Sequence, residues 1–181
     1  MGDFSPAWLA LRGPADSRAR SLGLVRSLQE RLGASTHPPD AAPGYPPWRR
    51  TLRILDLGSG TGANLRYLAP RLGLEPGGGP WVRQDWVCVD KDPELLADLI
   101  HCTRDWARDR HLSASVQGEE LLIQGVLDGP APGPRWRIRT LNQDLARGAG
   151  SLFLGPWTLV VATALLDLVS ADWIQGLLQA C

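Results

Sequence analysis

The stretch "ILDLGSGTGANL", residues 54 to 65, constrains this chain more than any other. Two apolar residues, Ile54 and Leu55, run into an acid, Asp56, and glycines then follow at positions 58, 60 and 62. Glycine at alternate positions strips a turn of side chains, which allows left-handed backbone and close approach of another chain or a ligand. The helical pattern "TGANLRYLAPRL" comes next, with Leu65, Leu68 and Leu72 on one face and Pro70 expected to kink or end it. Strand, bare turn and helix form the first unit of an α/β fold, in which ligands sit beyond the carboxyl ends of the strands.

The rest of the sequence extends that pattern. "DWVCVD" reads as a second strand, and "DPELLADLIHCTRDWARDR" as a helix capped by Asp92 with Pro93 in its first turn. Its inward face carries Leu95, Leu96, Leu99 and Trp106. Residues 114 to 126 suit a hairpin around Gly118. "WRIRTL" and "WTLVVAT" read as the third and fourth main strands, and a last helix starts at Ser170. Strands alternating with helices imply a three-layer, parallel-sheet α/β domain. We therefore divide the chain into residues 1–50, a helical segment with a proline-rich connector, and residues 51–181, the α/β domain. In the first part Ser5 caps a helix with Pro6 in its first turn, and Leu22, Val25, Leu28 and Leu32 form an apolar stripe.

Charge and cysteine content narrow the function classes. The 181 residues carry 19 basic and 19 acidic side chains, for a formal net charge of zero. That balance disfavours a nucleic-acid or membrane surface, although Trp48 to Arg50 and Arg104, Arg108 and Arg110 are local basic clusters. Lys91 is the only lysine, so the arginines read as a compositional bias, and a triphosphate loop, which needs G-x-x-x-x-G-K, is excluded. The three cysteines, Cys88, Cys102 and Cys181, lack metal spacing and give no disulfide framework. With no signal-peptide pattern at the N-terminus, they point to a soluble protein of the cytoplasm.

Gly58, Gly60 and Ala63 nominally fit a dinucleotide fingerprint, with Asp90 as a distant ribose acid, and that alternative stays open. Asp56 favours another ligand. A carboxylate two residues before Gly58 repels a pyrophosphate and attracts an ammonium group, while the following helix end receives a carboxylate. Asp90 can accept two ribose hydroxyls, and Asp144 an adenine amino group. Together these groups describe S-adenosyl-L-methionine.

"ILDLGSGTGANLRYL", "WVCVDKDPELL", "TLNQDLA" and "LVVATALLDLVS" resemble, in order, the motifs of class I S-adenosylmethionine-dependent methyltransferases over residues 50 to 175. The resemblance implies a Rossmann-like fold and methyl transfer to a small-molecule acceptor. It places Asp56, Gly58, Ser59, Gly60 and Gly62 on the methionine part, Asp90 and Lys91 at the ribose, Asp144 and Leu145 near the adenine, and Ala162 near the sulfonium. Asp167 is the one candidate base, with a helix-turn acid as its plainer reading. Arg12 and Trp8 are candidates to reach the pocket from the N-terminal segment, with packing as their plainer reading. His37, His101 and His111 are isolated and read as surface residues. The family's sheet has seven strands, and this chain ends at Cys181, so the later strands are expected to be missing. The fourth strand then becomes a long apolar edge that a second copy or a partner chain would cover. A truncated cofactor-binding domain without turnover is the second reading of the same residues.

Overall fold

The computed structural model describes residues 5–34, 51–73, 83–125, 133–147, 150–165 and 168–180. Helices α1 (Pro6–Ala19) and α2 (Leu22–Ala34) precede strand β1 (Thr51–Leu57), helix α3 (Ala63–Gly73), strand β2 (Arg83–Asp90) and helix α4 (Pro93–Arg108). A hairpin of β3 (Ser113–Gln117) and β4 (Glu120–Gln124) leads into β5 (Arg135–Asn142). The short helix α5 (Gly150–Phe153), strand β6 (Leu159–Ala162) and helix α6 (Ala171–Ala180) complete the order. The six strands form one sheet in the order β3-β4-β5-β2-β1-β6. β5, β2, β1 and β6 run parallel, and the hairpin adds its two strands antiparallel. The architecture is thus mixed α/β with a mostly parallel sheet.

Residue parity along the strands builds two cores. Leu52 and Ile54 of β1, Trp86 and Cys88 of β2, and Trp136 and Ile138 of β5 face one side and pack with residues of α2, α3 and α4. Leu55, Leu57 and Val89 face the other side and meet Leu145, Trp173 and Leu177. Central parallel strands buried on both faces need such continuous apolar runs. Inside the first core Trp86 Nε1 donates to Gln84 Oε1 at 2.9 Å and Gln84 Nε2 donates to the Ala69 carbonyl at 2.9 Å, while Trp136 Nε1 has no partner among the described residues.

Local signals account for most element ends. Asp92 Oδ1 accepts from the Glu94 amide at 2.9 Å, capping α4 ahead of Pro93. Gly118, at φ +60°, turns the β3–β4 hairpin. Three expectations need correction. Residues 6 to 34 form two helices, because Arg20 adopts an extended backbone and Ser21 caps α2 through the Leu24 amide. Leu22 is accordingly exposed, whereas Val25 and Leu32 are buried. Pro70 does not end the helix but lies buried within α3, which runs on to Gly73. Side chains serve carbonyls near it: Arg71 Nη1 donates to the Tyr67 carbonyl at 2.7 Å, beside the Gln84 bond to Ala69. Finally, β6 does stand at the edge of the sheet, but it spans four residues rather than a long apolar strand.

Gly62 joins the turn to the core. Its φ is +81°, and a Cβ there would lie 2.7 Å from Leu99 Cγ of α4. Gly118 shares the left-handed backbone but faces open space. Gly118→Ala is therefore expected to cost about 1 kcal/mol, the conformational penalty alone. Gly62→Ala adds a core clash and should cost about 3 kcal/mol. Urea denaturation of the two variants checks the difference, and equal costs would show that α4 gives way.

Candidate functional site

β1 connects through α3 to β2 on one side, and the chain later crosses to place β6 on the other side of β1. The sheet order reverses at β1, so a crevice opens beyond the carboxyl ends of β1 and β6. Asp56, Gly58, Ser59, Gly60 and Gly62 all lie there, with Asp90 at the end of the neighbouring strand.

Asp90 ties this region together. Its Oδ2 accepts from the Gly60 amide at 2.8 Å, and its Oδ1 accepts from the Asp92 amide at 3.0 Å. Its carbonyl accepts from the Gln143 amide at 2.9 Å and from Asn142 Nδ2 at 3.2 Å. One residue thus fixes the loops after β1, β2 and β5. Ser59 adds a parallel tie, its amide donating to the Val89 carbonyl at 3.0 Å and its hydroxyl to the same oxygen at 3.3 Å.

Asp56 lies beneath the turn and is fully buried. Asn64 Nδ2 donates to its Oδ1 at 3.0 Å, while Oδ2 accepts no hydrogen bond among the described residues. Loss of hydration pushes this carboxyl up to about 7; Asn64 and the Arg20 charge oppose the shift, and Asp90 adds to it. Burial also raises the neighbouring Cys88 thiol, with Asp56 contributing. Arg20 Nη1 donates to Asn64 Oδ1 at 2.5 Å and its guanidinium lies 4.8 Å from the Tyr67 ring centroid. Arg20, Asn64 and Asp56 therefore form a chain from the α1–α2 junction to the strand end.

Side chains from two other elements border the turn. Leu9 Cδ1 of α1 lies 3.6 Å from where a Gly60 Cβ would stand, and Leu165 Cδ1 lies 3.3 Å from that of Gly58. Both glycines have positive φ, +51° and +66°, so the turn is bare backbone under an apolar border.

The other expected residues are placed as follows. Lys91 is exposed, and its carbonyl accepts from Asn142 Nδ2 at 2.9 Å. Asp144 Oδ1 accepts from the Ala146 amide at 3.0 Å and so starts a turn of 3₁₀ helix. Leu145 is buried in the second core, and its carbonyl accepts from Trp173 Nε1 at 2.9 Å. Ala162, half-buried, pairs with Leu57 at the crevice. Asp167 and His37 lie outside the described residues. Arg12 packs locally, pairing with Asp16 at 2.9 Å and covering Trp8. The N-terminal residues that reach the turn are Leu9 and Arg20. His101 and His111 are exposed, and among the described residues neither bonds to Ser59. No cluster of three or more metal-ligating side chains occurs, and no helix is long and apolar enough to cross a membrane, among the described residues.

No family model matches the chain. Over 74 residues it is 36% identical to the GDSL lipase Rv0518 of Mycobacterium tuberculosis, a stretch covering 41% of this chain and 31% of that protein. The chain therefore spans under a third of that relative in the matched region. The match overturns the methyltransferase reading, both as family and as activity, since the relative bears the name of a lipase. Neither the truncated cofactor-binding domain nor the nicotinamide-dinucleotide domain gains support from it. The motif resemblance misleads because a strand-end acid followed by a bare glycine turn is a solution of the fold, and a fold does not fix a chemistry.

Proposed function

We propose that the chain is a hydrolase-type domain acting on a small ester in the crevice beyond β1 and β6. The observation that carries this reading is Asp56, a fully buried carboxyl held near 7 with Oδ2 unpartnered at the strand end. A carboxyl that changes protonation near neutral pH suits a general base. The lipase name of the partial relative supports the reaction class.

In this reading Asp56 Oδ2 takes a proton from water as the water oxygen attacks the ester carbonyl carbon. The carbonyl oxygen gains charge, which the first-turn N–H groups of α3 can receive. The carbon–oxygen bond of the ester then breaks, and the departing alkoxide takes up the proton from Asp56. Asn64 orients the carboxyl through Oδ1, and Arg20 orients Asn64. Ser59 is not the nucleophile here, because its hydroxyl is turned to the Val89 carbonyl and bonds to no histidine among the described residues. Asp56 is fully buried, so this reading requires the turn above it, with Leu9 of α1 at its border, to draw back for water and ester to reach Oδ2.

S-adenosyl-L-methionine is proposed only as a molecule for this crevice to bind, supported by the strand-end position of Asp90 and the bare turn. A reducing cytoplasm is the proposed compartment, supported by the free thiols of Cys88 and Cys102.

Hydrolysis of p-nitrophenyl esters of increasing acyl length tests the activity, with calorimetric titration of S-adenosyl-L-methionine as a separate measure of binding. The wild-type rate should rise with pH through an inflection near 7, the value at which Asp56 gives up its proton. Asp56→Asn should lower it about 100-fold and abolish the inflection. Ser59→Ala should change the rate by less than about threefold, since the hydroxyl only ties two loops. Turnover equal in wild type and Asp56→Asn would refute the assignment.

Asp56 also sets a pH dependence of stability. The folded carboxyl keeps its proton up to about 7, against 3.8 as the ordinary value, so the folded state binds more protons in between. Stability should be greatest below the ordinary value and fall as pH rises toward 7, by at most about 4 kcal/mol. Urea midpoints across that range check it, and Asp56→Asn should flatten the slope.

A further inference from the structure

The helices of the second core cover only part of their face of the sheet. They bury Leu55, Leu57 and Val89 toward the carboxyl ends of the parallel strands. The side chains of the same parity further back are Arg53 on β1, Arg83 on β2, and Arg135, Arg137 and Arg139 on β5, all exposed. Strand register puts them in rows. Arg53, Asp85, Arg137 and Leu122 form one row, Arg83, Arg135 and Gln124 a second, and Val87, Arg139 and Glu120 a third.

Five arginines therefore face two acids, Asp85 and Glu120, an excess of three positive charges on a chain whose formal net charge is zero. Glu120 is shared, its carboxylate lying 3.5 Å from Arg137 Nε and 3.9 Å from Arg139 Nε. Arg53, Arg83 and Arg135 have no ion pair among the described residues. Arg83 and Arg135 stand directly opposite each other, an arrangement of like charges that destabilises a strand pair.

We infer that this face docks a carboxylate-bearing helix of a partner polypeptide. Parallel strands are ordinarily covered by helices on both faces, and this part of the face has none among the described residues. Arginines two residues apart along β5 repeat at about 6.6 Å, close to the roughly 6 Å rise between glutamates four apart on a helix. Guanidinium groups bind carboxylates through paired N–H donors, and half-buried Val87 and Leu122 add an apolar contact between them. A nucleic acid fits less well. The rows hold no aromatic ring for base stacking, and Asp85 and Glu120 would repel phosphates.

Fluorescence anisotropy on the full chain tests the inference, using a labelled alanine-based helical peptide with glutamates at four-residue spacing. Its lysine counterpart and a labelled single-stranded oligonucleotide serve as the other probes. The glutamate peptide should bind, more weakly as salt rises, and the lysine peptide should not. Arg135→Glu with Arg137→Glu should weaken that binding at least about tenfold, while Arg18→Glu with Arg108→Glu, on exposed helix positions, should leave it unchanged. Circular dichroism confirms that each variant is folded. Failure of the folded wild type to bind the glutamate peptide would overturn the inference. So would equal binding by the strand variant, or tighter binding of the oligonucleotide to this face.

Discussion

The Asp90 carboxylate is the constraint on which the crevice depends. It accepts from the Gly60 and Asp92 amides, and the same residue's carbonyl accepts from Gln143. Three loops from three adjacent strands converge on one residue, which ties them to each other by hydrogen bonds. Charge-assisted bonds of this type are about twice as strong as neutral ones, which suits a turn whose glycines contribute little packing. Gly60 tolerates its left-handed backbone because it has no Cβ, and the clamp holds it there by aiming its amide at the carboxylate. With the loops fixed, α3 starts at a defined point, and Asn64 comes to lie over Asp56.

Asp56 is the counterpart cost. A carboxyl removed wholly from water with one oxygen unpartnered is destabilising as a charge, and its raised proton affinity is the response to that. A fold that needed only a strand end would place an apolar residue there, as Leu55 and Leu57 are placed on the other face. Arg20 contributes the cation that opposes the shift among the described residues, and burial lowers its own proton affinity in turn. The two groups are linked through Asn64, so the proton on Asp56 and the seating of the α1–α2 junction are coupled. Protonation removes the charge that attracts Arg20, and ionisation restores it.

Much of the scaffold was legible in the sequence because its signals are local. The apolar runs of β1 and β2, Asp92 followed by Pro93, Ser170 before α6 and the hairpin around Gly118 each act within a few residues. The site was legible only where its residues sit on those elements, as Asp56, Gly60 and Asp90 do. Asn64 and Arg20 escaped notice because their roles arise from contacts eight and 44 residues apart in sequence. That α3 runs past Pro70 was illegible for a similar reason, since the Ala69 carbonyl beside it takes its donor from Gln84, fifteen residues further on. Function was the least legible level. The glycine turn reports that backbone must come close to something, and the same turn geometry serves transferases, dehydrogenases and hydrolases alike.

The sheet itself carries a division that neither helix pattern nor motif expresses. At the carboxyl ends of β1 and β2 alternate residues are apolar, and helices close over both faces. On β5 the alternation changes to Trp136 and Ile138 against Arg135, Arg137 and Arg139, so one face is core and the other is exposed. A strand inside a parallel sheet gains stability by burying both faces, and β5 forgoes that gain along most of its length. Lysine is nearly absent from the chain, yet compositional bias explains only which cation is used and not where it stands. Three arginines at consecutive outward positions, opposite a fourth on β2 and one row from a fifth on β1, are a matter of placement. The crevice and the arginine face lie toward opposite ends of the parallel strands, so what binds at one leaves the other accessible.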